Sequence, residues 1–120
     1  MSESIYQEVI LEHNRNPKNF GKLTNATKST TVLNQLCGDA ITMTVIFKGD
    51  VLKDIKFIGQ GCAISQALTS QLTEHVKNKT KKQLRKLDRA FMIKLVGIEL
   101  GPNRLKCALL PLEALKKLIV

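Results

Sequence analysis

The sequence predicts an α+β fold in which a small antiparallel sheet is packed on one face by helices. Two observations predict this fold. Residues 39–47 and 51–58 alternate between apolar and polar side chains on either side of a Lys-Gly-Asp turn, which is the pattern of a β-hairpin. Helical patterns flank this hairpin on both sides. The chain has 120 residues and no internal repeat or linker, so we expect one domain over residues 1–120.

The segment before the hairpin predicts one helix and one weak strand. Residues 4–15 place apolar side chains at i and i+4, and Ser4 with Gln7 forms a capping box at the start. Pro17 ends the helix, because the residue before a proline avoids helical geometry. Residues 27–33, which read Thr-Lys-Ser-Thr-Thr-Val-Leu, predict an edge strand.

The hairpin presents one row of apolar side chains to the core and leads into a helix. That row consists of Ile41, Met43, Val45 and Phe47 in the first strand and Val51, Ile55 and Phe57 in the second. A Gly-Gln-Gly sequence at residues 59–61 ends the second strand. The helix that follows is predicted by apolar residues spaced four apart: Ile64, Leu68, Leu72 and Val76.

Two more helices are predicted in the last third of the chain. Thr80 and Gln83 form a capping box, which opens a helix with the apolar stripe Leu84, Leu87, Phe91 and Leu95. Residues 97–104 predict a loop. The last helix has the stripe Ala108, Leu112, Leu115 and Ile119. Because a helix tolerates proline in its first turn, Pro111 predicts a helix start close to Cys107.

The charge of the chain points to an acidic partner or to a solvated basic surface. The formal net charge is +9, and the segment from Lys77 to Lys94 holds eight basic residues against one acid, Asp88. Such a segment attracts acidic proteins or nucleic acid. Aromatic residues make up 4% of the chain and Trp is absent, so few side chains can stack on single-stranded bases. A nucleic-acid partner is therefore not expected.

The N-terminal residues lack both a basic leader and a continuous apolar block, and no run approaches the roughly 18 apolar residues that cross a membrane. We therefore expect a cytoplasmic protein with no membrane partner.

In a reducing compartment, the three cysteines are not expected to form a disulfide framework. They are then either packing residues of the core or residues with a chemical role.

The positions of the cysteines favour chemistry. Cys37 and Asp39 share one side of an extended chain, because residues i and i+2 point the same way. Cys62 follows a strand and opens a helix, and Cys107 is expected where a loop enters a helix. A helix N-terminus favours a thiolate over a thiol. A cysteine that only fills the core would instead fall in the middle of an element.

Three thiolates and one carboxylate suit two kinds of metal site. They match the tetrahedral coordination of Zn²⁺, and they can also hold the two irons of a small iron–sulfur cluster with a carboxylate in place of one thiolate. The types of residue do not separate these alternatives.

Four stretches of the chain resemble the NifU/IscU/SufU family of iron–sulfur cluster assembly proteins. They are IYQEVILEHNRNPKNFG, NQLCGDAITMTV, FIGQGCAISQA and RLKCALLPLEAL, and they occur in this order over nearly the whole chain. The resemblance implies a SufE/NifU-like fold. It also implies one metal site with the ligands Cys37, Asp39, Cys62 and Cys107.

Within the family, the sequence is most similar to the SufU type. IscU-type scaffolds have a His directly before the third cysteine, whereas this chain has Lys106 there, in the SufU-like pattern Arg104-x-Lys106-Cys107. SufU-type proteins hold Zn²⁺ and accept sulfur from a cysteine desulfurase, and the resemblance makes Cys37 the acceptor. Arg104 and Lys106 then contact the persulfide or the partner, or are ordinary solvated charges.

Two alternatives remain. SufU-type proteins carry an insertion between the second and third cysteines, where this chain is short, so an IscU-type scaffold that assembles a [2Fe–2S] cluster stays open. The chain is then either a zinc-dependent sulfurtransferase that acts with the desulfurase or a non-enzymatic scaffold, and downstream scaffolds or apo-proteins are further partners. The second alternative is a basic nucleic-acid-binding module with a structural zinc, which Asp39 disfavours because such sites use Cys and His.

His13 and His75 are expected at the surface or facing a partner.

Overall fold

The structure, a computed structural model, describes residues 2–35 and 38–120. In chain order, its elements are α1 (Ser2–Arg15), β1 (Lys28–Asn34), β2 (Asp39–Lys48), β3 (Val51–Gln60), α2 (Ala63–Val76), α3 (Lys81–Arg85), α4 (Arg89–Val96) and α5 (Pro102–Leu118). The three strands form an antiparallel sheet in the order β1-β2-β3. The predicted α+β fold is confirmed. None of the helices in the described ranges is long and apolar enough to cross a membrane.

Helices α2 and α5 pack on one face of the sheet. That face consists of buried side chains at alternate strand positions: Val32, Ile41, Met43, Val45, Ile55 and Phe57. The chain after α1 runs along the far edge of β3, where the Phe57 N–H donates to the Asn19 carbonyl at 3.0 Å. It then crosses the other face, where the Leu23 N–H donates to Thr44 Oγ1 at 3.0 Å. β1 therefore forms the opposite edge of the sheet.

A bulge changes which residue of the hairpin enters the core. The register of β2 with β3 shifts between Ile46 and Phe47, and Lys53 has no partner in β2. An extra residue in one strand reverses the alternation of its side chains. Leu52 is therefore fully buried, and the prediction that Val51 faces the core is wrong. Alternation in the sequence does not reveal a bulge.

α1 begins two residues earlier than predicted. It starts at Ser2, so Ser4 and Gln7 lie inside the helix and the predicted capping box is not its start.

The helix predicted from Thr80 is in fact two helices. The capping box is confirmed: Thr80 Oγ1 accepts the Gln83 N–H at 3.1 Å, and the Gln83 side chain accepts the Thr80 N–H at 2.8 Å. α3 nevertheless ends at Arg85. Asp88 then caps α4 by accepting the Phe91 N–H at 2.9 Å. The apolar stripe runs on across this break, which is why periodicity alone predicted one helix.

α5 begins at Pro102, five residues before Cys107, so the predicted start near Cys107 is wrong and part of the predicted loop is helical. Both Pro102 and Pro111 fitted the rule that places proline in a first turn, and Pro102 is the one that occupies it. Pro111 lies inside the helix, where it has no N–H to donate to the Cys107 carbonyl one turn earlier.

α1 is held on α2 by polar contacts around His13. Its Nδ1 lies 2.6 Å from Ser70 Oγ, and its Nε2 lies 3.6 Å from Glu74. The side chain is 13% exposed, so the expectation that His13 is a surface residue is wrong. Burial lowers the pKa of His13, and Glu74 partly opposes this effect. His75 is exposed, as expected, with its ring centre 4.6 Å from that of Phe91.

Candidate metal site

Three potential ligands from three separate elements meet at one end of the sheet. Asp39 is the first residue of β2, Cys62 is the N-cap of α2, and Cys107 lies in α5. One ligand atom from each lies within 4.8 Å of the other two. The structure thus brings together three of the four residues that the sequence analysis singled out. The fourth, Cys37, lies outside the described residues.

The two oxygens of the Asp39 carboxylate have different surroundings. Oδ1 accepts a hydrogen bond from the Cys62 backbone N–H at 2.8 Å, and Oδ2 lies 3.7 Å from Cys62 Sγ. Asp39 is 2% exposed. The first oxygen fixes the carboxylate to the start of α2, and the second oxygen lies beside the sulfur.

Gly61 makes room for this carboxylate. Its φ is +130°, which L side chains rarely adopt, and a Cβ there would lie 1.8 Å from Asp39 Oδ1. Any side chain at position 61 would therefore collide with the group that anchors Cys62. The sequence analysis read Gly61 only as the end of a strand. Its place directly before a ligand cysteine was the available signal for a site role.

Cys62 occupies the position that the sequence predicted. As the N-cap of α2 it has extended geometry, with φ −74° and ψ 159°, and its side chain makes no capping hydrogen bond. Its sulfur is therefore not committed to the helix backbone.

Cys107 does not lie at a helix N-terminus. It is more than one turn inside α5 and 1% exposed, so the argument from the helix dipole is wrong for this residue. It is also buried in the middle of an element, which the sequence analysis took as the mark of a packing cysteine. Its link to the site is its distance from Asp39 and Cys62.

Asn34 is a further residue of the site that the sequence analysis missed. It is the last residue of β1 and pairs with Asp39, the first residue of β2. Its Nδ2 donates to Cys107 Sγ at 3.8 Å, a contact that stabilises negative charge on the sulfur. The pairing of β1 with β2 and the packing of α5 on the sheet bring Asn34 to Cys107. Asn34 is the first residue of the stretch NQLCGDAITMTV, which was the available signal.

Arg104 and Lys106 are both exposed and both lie in α5 rather than in a loop. Residues two apart on a helix point to different sides, whereas residues three apart share a face. Arg104 therefore lies one turn before Cys107 on the same face. Lys106 lines a groove between α5 and the end of β1.

The donor set fits zinc. A sulfur about 2.3 Å and a carboxylate oxygen about 2.0–2.2 Å from a tetrahedral ion lie about 3.6 Å apart, and Asp39 Oδ2 and Cys62 Sγ are 3.7 Å apart. Sulfur and carboxylate ligands in a largely buried pocket suit Zn²⁺, and the same ligands suit iron–sulfur clusters. The set as described has three members, so a fourth ligand completes a closed tetrahedral site.

The basic segment from Lys77 to Lys94 starts far from these ligands. The Leu52 N–H donates to the Lys79 carbonyl, which places the start of the segment beside the first residues of β3. Asp39 stands at the opposite end of β2, a strand of ten residues that spans about 30 Å. The first residues of the segment therefore lie about a strand length away from the site.

The chain is similar to several known proteins. A family model described as "NifU-like N terminal domain" matches residues 5–120. The protein named "Zinc-dependent sulfurtransferase SufU" of Bacillus subtilis is 34% identical over 132 aligned positions, which cover 96% of this chain and 89% of that protein. "Iron-sulfur cluster assembly scaffold protein IscU 1" of Archaeoglobus fulgidus is also 34% identical, over 97% of this chain and 75% of that protein.

A solved structure has the same fold from end to end. It is described as a putative iron–sulfur cluster assembly scaffold protein for the SUF system from Fervidobacterium islandicum AW-1. It superposes with a TM-score of 0.83, is 33% identical, and covers 100% of both chains. The alignment with the Bacillus protein spans 132 positions, more than the 120 residues of this chain, so that relative has extra residues within the matched region.

Proposed function

Because the chain belongs to the family of NifU-like N-terminal domains, we propose that it is an iron–sulfur cluster assembly protein of the SufU type. It holds Zn²⁺ and accepts sulfur from a cysteine desulfurase, with Cys37 as the accepting thiol. The observation that carries this proposal is the convergence of Asp39, Cys62 and Cys107 within 4.8 Å. The name of the Bacillus relative supports the choice of zinc and of sulfur transfer.

Cys37 is the proposed fourth ligand because the chain tethers it to the site. It is two residues from Asp39, and two residues of extended chain span about 7 Å. Asn34, three residues before it, donates to Cys107 Sγ. Asn34, which precedes Cys37 in the chain, therefore contacts the ligand group, and Asp39, which follows Cys37, belongs to it. This supports a site made of Cys37, Asp39, Cys62 and Cys107.

The metal supplies one kind of chemistry when bound: it keeps coordinated sulfurs deprotonated at neutral pH. Asp39 is the weakest ligand of the set, and the Cys62 N–H holds its carboxylate in place. Asn34 Nδ2 donates to Cys107 Sγ and stabilises negative charge on this sulfur. These contacts would hold Asp39, Cys62 and Cys107 in place for the metal, and Cys37 is proposed to be the residue that reacts.

The transfer is a displacement at sulfur. The Cys37 thiolate attacks the terminal sulfur of the desulfurase persulfide and forms a new S–S bond with it. The bond between that sulfur and the desulfurase cysteine breaks, and its electron pair leaves on the desulfurase thiolate. No oxidant or reductant is consumed. Arg104, one turn before Cys107 in α5, is the residue that we expect to attract the persulfide on Cys37.

Elemental analysis and a visible spectrum of protein purified without oxygen test the metal. We expect about one zinc per chain and no visible absorbance. Incubation with a cysteine desulfurase and cysteine should add one sulfur atom to the intact mass, and Cys37→Ala should abolish this gain. A desulfurase with its active cysteine blocked is the control. No sulfur gained by the zinc-loaded wild-type protein would overturn the proposal.

An IscU-type scaffold is the second candidate, because the Archaeoglobus relative is as similar as the Bacillus protein. It would assemble a [2Fe–2S] cluster on the same ligands. Lys106, in place of the family's scaffold-type His, makes this candidate the less supported one. Iron with sulfide and visible absorbance in the purified protein would identify the scaffold.

A further inference from the structure

A groove lies along the free edge of β1 and ends at the metal site. Leu33 and Asn34 of β1 line one side, and Lys106, Leu109 and Glu113 of α5 line the other, around a volume of about 590 Å³. Leu33 pairs with Ala40, on the sheet face away from α5, whereas Val32 and Ile41 face the helices. A groove that touches both Leu33 and α5 must therefore wrap around the edge of β1.

The edge of β1 along this groove is open. No backbone hydrogen bond to any described residue forms on the side of residues 29–33 that faces away from β2. Leu33, an apolar side chain, is 61% exposed there. An edge strand with open N–H and C=O groups is a template for an added strand, and the apolar side chain beside it offers a contact for the added segment.

The groove leads to the ligands. Asn34 lines it and also donates to Cys107 Sγ at 3.8 Å. Lys106 lines it and immediately precedes Cys107. A segment that lies in the groove therefore brings the residue at its end to the metal site.

The surroundings of the groove are mainly basic. A second cavity of about 470 Å³ adjoins it through the shared residues Leu109 and Glu113. The charged side chains that line the two cavities are four cations, Arg89, Lys106, Lys116 and Lys117, and one acid, Glu113. Together with the net charge of +9, this favours an acidic occupant.

We propose that the groove between β1 and α5 binds an extended, acidic segment of the cysteine desulfurase as a strand added beside β1. The bound segment positions the persulfide cysteine of the desulfurase at the ligand group. An extended backbone pairs with the edge of β1, which a helix cannot do. The inference rests on the proposed function, because the partner is the sulfur donor.

Two leucines give a matched test. Leu33→Glu places a negative charge in the groove, and Leu11→Glu makes the same change at a residue of α1 that is 50% exposed. The probe is the cysteine desulfurase of the same organism in its persulfide form. The desulfurase concentration for half-maximal sulfur transfer should rise about tenfold for Leu33→Glu and stay unchanged for Leu11→Glu. Glu113→Lys, which removes the acid of the groove, should lower it.

Hydrogen exchange tests the added strand itself. Exchange in the segment 28–34 should slow when the wild-type chain binds the desulfurase, and exchange in α1 should not change. Unchanged exchange in β1, or equal effects of Leu33→Glu and Leu11→Glu while sulfur transfer proceeds, would overturn the groove and leave the proposed function standing. Protection of β1 by dimerisation of the free chain would show a second copy as the occupant and also overturn it. If the wild-type chain accepts no sulfur, both proposals fall.

Discussion

Asp39 Oδ1 accepts the backbone N–H of Cys62 at 2.8 Å, which joins the first residue of β2 to the N-cap of α2. One carboxylate thus performs two tasks. It holds two elements of the fold together through one oxygen, and it offers the other oxygen beside the Cys62 sulfur. The fold and the site therefore depend on the same side chain, and substitutions can separate the two tasks.

Asp39→Asn and Asp39→Ala should differ. Asn keeps an oxygen that accepts the Cys62 N–H but has no negative charge, so metal affinity should fall about 10- to 100-fold with little loss of stability. Ala also leaves the Cys62 N–H without its acceptor, which should lower the free energy of unfolding by a further 1–3 kcal/mol, roughly. Competition with a zinc chelator measures affinity, and urea unfolding of the metal-free proteins measures stability. Metal affinity equal to wild type in both variants would show that Asp39 is not a ligand.

Gly61→Ala should damage the site and the fold together. The new Cβ would overlap Asp39 Oδ1, and the backbone at φ +130° disfavours a side chain, so we expect a loss of at least about 2 kcal/mol and much weaker metal binding. Gly101→Ala is the matched control, because a Cβ there meets nothing within 4 Å and φ is −69°. The measurements are thermal unfolding and zinc content. Similar behaviour of the two variants would contradict the role assigned to Gly61.

Stability should fall in mild acid because of His13. Burial lowers the pKa of His13 below its ordinary value of 6.5, so the unfolded chain takes up this proton at a higher pH than the folded chain. The free energy of unfolding should be insensitive to His13 above pH 6.5 and should decrease as the pH drops from 6.5 towards the folded-state pKa. Urea unfolding across this window measures the slope.

His13→Gln should flatten that slope. The pKa of His75 is lowered as well, by burial and by Lys79, so some slope should remain until His75→Gln is added. Stability that rises as the pH falls through this window in the wild-type chain, and not in His13→Gln, would show that the protonated form of His13 is the one bound in the fold.

Arg104 and Lys106 should have separable effects on sulfur transfer, because they point to different sides of α5. Lys106→Gln should raise the desulfurase concentration for half-maximal transfer, and Arg104→Gln should lower the rate at saturating desulfurase. Each effect should be at most about fivefold, since exposed charges contribute up to about 1 kcal/mol. Lys86→Gln, in the basic segment directly after α3, is the control. If Lys86→Gln has the larger effect, the partner docks on the basic segment instead.

Much of the fold could be predicted from local patterns. The strands β2 and β3 and the helix α2 follow periodicities of two and of about four residues, and the side chains predicted for the α2 stripe are all buried. The capping box at Thr80 and Gln83 is present because it needs only four consecutive residues. The helix boundaries were predicted less accurately than these elements. α1 and α5 begin earlier than predicted, and a cap at Asp88 divides the helix predicted after Thr80.

The sequence by itself determined which residues are able to bind metal and which strand and helix patterns surround them. Cys62 and Asp39 each carry a local signal, and the motifs identified the family. Tertiary structure decided what meets across elements. It placed Cys107 inside α5 and within reach of Asp39, set Asn34 against its sulfur, and made Gly61 the space for a carboxylate. It also left the edge of β1 open beside the site. These contacts join residues separated by more than 20 positions or lie at the edge of the sheet, so they depend on the pairing of the strands and on the packing of the sheet against α2 and α5.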